Sequence, residues 1–156
     1  MGLFLIGTAH QYQRGLYRAP SGTYREFERF VQWAAEECLA STIAEELSES
    51  LCGEISFSLS RAVACKAGLE HIYCDPDHRE RRELGLLLED CSRTWGPRED
   101  VWPQRLQGAA FPVLFICGAD HVASFSDKCR ALAIDVTVLR ECWEPATEIP
   151  VQFTTI

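Results

Sequence analysis

Leu3 to Ile6 and Val113 to Cys117 are short, unbroken apolar runs, and each stops at a glycine that opens the same kind of motif. The two motifs are Gly7-Thr8-Ala9-His10 and Gly118-Ala119-Asp120-His121. A run that is apolar at every position and bounded at so few residues reads as a strand buried on both faces, as in a parallel sheet. In open parallel α/β sheets the carboxyl ends of the strands share one edge, and ligands bind in the crevice there. Two histidines far apart in sequence are therefore expected in one pocket.

The rest of the chain fits this frame. Ser41 to Ala44 reads as a second strand ending in Glu45 and Glu46, His71 to Cys74 as a third, Phe111 to Cys117 as the fourth and Ile134 to Leu139 as a fifth. Between them, Phe27, Phe30, Val31, Ala34, Ala35 and Cys38 recur at helical period after Thr23 and Glu26, which have capping-box spacing. A second helix is expected from Ser58 to Lys66, closed by Gly68. A third starts with Asp75 as N-cap and Pro76 as its first residue, charged to Glu83 and apolar from Leu84 to Leu88. Gly96-Pro97 opens another from Arg98 to Gln107, which Pro103 should kink or split, and a last one spans His121 to Leu132. Strands alternating with helices predict a three-layer α/β/α sandwich around a mostly parallel sheet of about five strands. One domain over 1–156 is expected, with 141–156 as an unassigned tail.

Composition narrows the partners. The net charge of -8 and the lack of any Lys/Arg stripe argue against duplex nucleic acid. None of the 8 cysteines is in C-x-x-C spacing, so they read as core thiols of a reducing compartment. The amino-terminal apolar run is too short for a signal peptide, Ile6 stands where a myristoylation signal needs Ser or Thr, and no stretch is long enough to span a membrane. A cytoplasmic location is the expectation.

Four strand ends carry groups able to do chemistry: His10, Glu45 or Glu46, Asp75 or Asp77, and His121. Imidazoles with carboxylates suit a divalent metal (Mn, Co, Fe or Zn), with His10, His121, Glu46 and Asp75 as ligands and open positions to activate water. The same set can work without metal, one histidine serving as general base. Taken singly, Asp75 reads first as an N-cap and Asp120 as a cap of the helix behind it. At least one of the two glutamates is expected in solvent. His71 and His78 read as structural. The loop from Gln11 to Gly22 is long for its place and carries Arg14, Tyr17 and Arg18, which are candidate substrate contacts on a segment able to close as a lid.

These motifs resemble the TraB/Tiki superfamily, with its ChaN-like haem-binding proteins and erythromycin esterases. Leu5-Ile6-Gly7-Thr8-Ala9-His10 looks like the first motif of that group, Ile43-Ala44-Glu45-Glu46-Leu47 like its glutamate strand, and Arg98-Glu99-Asp100-Val101-Trp102 like its arginine-led helix. Phe115 to Val122 resembles the closing motif. The resemblance implies a metal-assisted or His/Glu-driven hydrolase of ester, lactone or peptide-type bonds. In it His10 and His121 bind metal or activate water, Glu45 or, preferably, Glu46 is ligand or base, and Arg98 holds an anionic group or the developing oxyanion. The chain is short for that group and lacks room for the helical insertions of the esterases. A non-catalytic module holding haem or a small anion through Arg14, Arg18 and Arg98 is the alternative, and a regulatory protein that has lost the activity is a third reading. No G-x-G-x-x-G follows the first strand and no Walker A lysine is present, which counts against a nucleotide-binding protein.

Overall fold

The computed structural model describes residues 2–13, 21–50, 58–86 and 91–145. Five strands form one all-parallel sheet: β1 (Gly2–Thr8), β2 (Thr42–Glu45), β3 (Glu70–Tyr73), β4 (Val113–Gly118) and β5 (Asp135–Trp143), in the order β3-β2-β4-β1-β5. Helices α1 (His10–Gln13), α2 (Ser21–Glu37), α3 (Leu59–Ala67), α4 (His78–Glu83), α5 (Cys91–Arg105) and α6 (Val122–Ala131) alternate with them, and a 3-10 turn at Ala119–His121 precedes α6.

Strand alternation sorts the core onto two faces. On one, Ile6, Ile43, Leu114 and Ile116 pack with Phe27, Val31 and Ala34 of α2 and Val63 and Ala64 of α3. On the other, Leu3, Leu5, Ala44, Phe115 and Cys117 pack with Trp102 and Leu106 of α5 and Phe125 and Cys129 of α6. The chain therefore leaves β1 toward one face and β4 toward the other. These strands are neighbours, and their register sets Thr8 opposite Gly118. The gap between the ends of β1 and β4 is thus the topological switch point, where a parallel sheet opens a crevice.

Several boundaries depart from the sequence expectation. Thr23 is not a cap but lies inside α2, where it is buried. Ser58 and Gly68 do cap α3: Ser58 Oγ accepts from the Arg61 amide, and Gly68 takes φ +69° and donates to the carbonyls of Ala64 and Cys65. Asp77, not Asp75, caps α4, forming a reciprocal capping box with Glu80, because the Asp75 carboxylate is engaged by Arg81 and Arg98. α4 ends at Glu83, and Leu84 and Leu86 lie beyond it; residues 87–90 fall outside the described chain. α5 begins at Cys91 and runs through both Pro97 and Pro103 without being split. Each proline removes one backbone donor, and the burial of Trp102 together with the ion pairs of Arg98 and Glu99 offsets the loss.

β5 is longer than expected and takes in residues 141–143 of the supposed tail. Its register against β1 shifts between Leu5 and Ile6 and again between Ile6 and Thr8. Gly7 makes this possible: a Cβ there would lie 1.9 Å from the Glu141 carbonyl oxygen and 2.5 Å from Val122 Cγ2. The shifted strand delivers Trp143 into a ring cluster with Tyr12, Phe27 and Phe30, with centroids 4.7 to 6.2 Å away.

Candidate functional site

His10 and His121 converge on one atom. Glu46, fully buried at the end of β2, presents Oε1 to His121 Nε2 at 3.2 Å and to His10 Nε2 at 3.9 Å. The same oxygen accepts from Arg98 Nη2 at 2.6 Å, while Oε2 accepts from the Gly118 amide at 2.8 Å. Gly118 leaves room there for the site: a Cβ would stand 3.0 Å from His10 Cε1, 3.1 Å from its Nε2 and 3.3 Å from Glu46 Oε2, tight enough to press on both side chains. His10 Nδ1 lies 2.9 Å from Gln13 Oε1, which favours the Nδ1–H tautomer and leaves Nε2 with its lone pair. The His10 side chain is 44% exposed, so it alone of the converging groups offers solvent a substantial surface.

His121 was expected to open the last helix. It closes the 3-10 turn and stands as N-cap of α6 without making a capping bond. Its ring turns inward, Nδ1 lying 2.7 Å from Glu99 Oε1, which also accepts from Ser124 Oγ at 2.7 Å. With a carboxylate at each nitrogen, both must carry protons. Burial works against that charge, but the hydrogen bonds to Glu46 and Glu99 outweigh it and push the pKa up to about 9. For Glu46, burial favours the neutral acid, yet the bond from His121 and the charges of His121 and Arg98, joined by that of His10 when it is protonated, bring it down to about 2.

Glu99, which is fully buried, escaped the sequence reading as a functional group. A signal was available: Trp95, Arg98, Glu99 and Trp102 fall at i, i+3, i+4 and i+7, one helix face with two charges between two tryptophans. Both rings meet His121 edge-on, with centroids 5.0 and 5.2 Å away.

The two glutamates part company. Glu46 faces α5 and the histidines, whereas Glu45, one residue earlier on the pleat, faces α3. There its Oε1 accepts from Ser58 Oγ and from His71 Nε2 at 2.8 Å, and Oε2 is buried without a partner. Neither is in solvent, and Glu45 does not belong to the histidine cluster. His71, expected to be only structural, is the partner of Glu45. Asp75 is a counter-ion and not an N-cap: Oδ1 accepts from Arg98 Nε at 2.9 Å and Trp102 Nε1 at 3.2 Å, and Oδ2 from Arg81. Arg14, Tyr17 and Arg18 lie outside the described residues.

The expected metal centre does not fit this donor set. Glu46 Oε1 is shared by Arg98 and His121, and Asp75 is held between two guanidinium groups, so neither carboxylate stands free to ligate. Among the described residues, no three His, Cys, Asp or Glu side chains are disposed to hold a metal ion. The carboxylates Glu46, Glu99 and Asp75 are met by Arg98, Arg81 and His121. The guanidinium and imidazolium groups supply the positive charge that the sequence suggested a metal would bring. Arg98 is correspondingly committed to two carboxylates and does not stand free as an anion clamp.

No family model, no curated protein and no solved structure matches the chain. Among the described residues no helix is long and apolar enough to cross a membrane.

Proposed function

We propose that this protein is a small cytoplasmic hydrolase of ester, lactone or peptide-type bonds, of the TraB/Tiki kind, working by the metal-free His/Glu route. The observation that carries the reading is the half-exposed His10 imidazole, its Nε2 without a donor among the described residues and backed by the buried Glu46 carboxylate 3.9 Å away. His10 Nε2 takes a proton from a water molecule as that water attacks the substrate carbonyl, and Glu46 stabilises the imidazolium that results. His10 then returns the proton to the leaving oxygen or nitrogen. Arg98 and His121 hold Glu46 in place and keep it ionised. The substrate is a small molecule or a peptide, and the net charge of -8 counts against nucleic acid. The cytoplasmic assignment draws support from the free thiols, of which Cys74, Cys117 and Cys129 are buried.

The test is a panel of activated esters, lactones and short peptides offered to chelator-treated protein. Turnover that survives chelation and drops about 10²- to 10⁴-fold in His10→Ala supports the proposal. Turnover that appears only when Mn or Zn is added back sinks the metal-free route, and a panel without turnover sinks the hydrolase reading.

A further inference from the structure

At the edge of the sheet opposite the histidines, the last turns of α2 and α3 border a cleft of about 730 Å³. Its floor is apolar, built from Ala35, Val63, Ala67 and Leu69. At its rim stands Leu39, 80% exposed and the most exposed large apolar side chain among the described residues. Leu39 follows α2 where helices usually place glycine, and it takes φ +50°, a left-handed backbone that disfavours a residue with a Cβ. A lone surface leucine is ordinary. A leucine held out by an unfavourable backbone conformation beside an apolar cleft is a knob next to a hole.

We propose that this face is the interface of a symmetric homodimer, in which Leu39 of each copy enters the cleft of the other. A two-fold contact requires one patch that complements itself, and the charges here do so. Glu36 lines one wall of the cleft, on α2, and Lys66 the other, on α3. The two-fold places the Glu36 wall of each copy against the Lys66 wall of the other. The present partners are exchangeable surface ones: Lys66 pairs with Glu28 at 2.9 Å while 70% exposed, and Glu36 accepts a bond of 3.3 Å from Gln32. Two copies of a chain with net charge -8 repel at long range, so a patch with its own acid and base is what allows a second copy to approach. The histidine edge stays open in such a dimer.

Sedimentation velocity on the full chain, from the micromolar range to about 1 mM, reads the outcome. Wild-type protein is expected to pass from monomer to dimer within that range. Leu39→Gly removes the knob and relieves the left-handed backbone, so dimerisation should weaken at least tenfold while the thermal midpoint of the dilute monomer holds or rises. Glu36→Lys should weaken it likewise, and adding Lys66→Glu should restore it. A wild-type monomer at every concentration overturns the proposal and leaves the cleft to another occupant. A dimer indifferent to both Leu39→Gly and Glu36→Lys overturns it as well, since it must use another face.

Discussion

The ring of His121 keeps both protons because a carboxylate meets each nitrogen, and this ties stability to pH from two sides. Its folded pKa of about 9 lies above the unfolded value of about 6.5, so its contribution is complete below about pH 6.5 and is lost as pH rises through 9. Glu46 has the opposite sign: its contribution is complete above about pH 4.5 and is lost as pH falls through 2. The two form one pair, so the effects are shared and total up to about 3 kcal/mol on either limb. Urea midpoints should therefore be highest between about pH 4.5 and 6.5 and fall steadily toward pH 9.5. Glu99→Gln removes one of the two carboxylates and should flatten the alkaline limb; a limb of unchanged slope would show that Glu99 does not hold the proton. At Gly118, alanine would press on the His10 ring at about 3 Å. Gly118→Ala should cost about 1–3 kcal/mol by overpacking and lower kcat/KM on any hydrolysed ester at least tenfold through displacement of His10. Parallel melting curves and rate measurements separate the two effects.

α5 shows how an element can be hard to read and yet decisive. Gly96, Pro97 and Pro103 pointed to a late start and a break, because local rules count lost amide donors and not what the helix buries. Trp102 sits fully buried between Phe115 and Phe125, 5.5 and 5.0 Å away, while its indole N–H reaches Asp75. Trp102→Ala should cost about 3–5 kcal/mol and leave Asp75 short of a donor. Trp102→Phe keeps most of the packing and should cost about 1–2 kcal/mol, chiefly the lost hydrogen bond. Equal losses for the two variants in a denaturant titration would mean that the bond, not the ring, holds the helix. The strands were legible by contrast, since β1 and β4 are apolar runs closed by glycine and nothing competes with that reading. β5 was only half legible: its continuation through Glu141 depends on Gly7, a residue far away in sequence, and a local pattern carries no such information. The same holds at the site. His10, Glu46, Arg98 and His121 could be named from strand ends and motif likeness, but the protonation of His121 depends on Glu99, which only the docking of α5 brings within reach.

For the whole molecule, a charge-balanced site predicts indifference to metal. Ions that bind only the folded state raise its stability, so the thermal midpoint should be the same after chelation as with Mn or Zn in excess. A midpoint that climbs with ion concentration would contradict the donor set described above. β2 raises a different matter. All four of its residues are buried, on both faces, so greasy-in and polar-out patterning cannot tell the strand how to line up with its neighbours. Glu45 and Glu46 can. One finds its complement in Ser58 and His71 above the sheet, the other in Arg98 and His121 below it. A slip by a single residue would move one glutamate into the slot of the other and leave its neighbour without partners for its charge. The adjacent acids thus work as an alignment mark read during folding, and Glu46, a group proposed for chemistry, also proofreads the sheet that presents it.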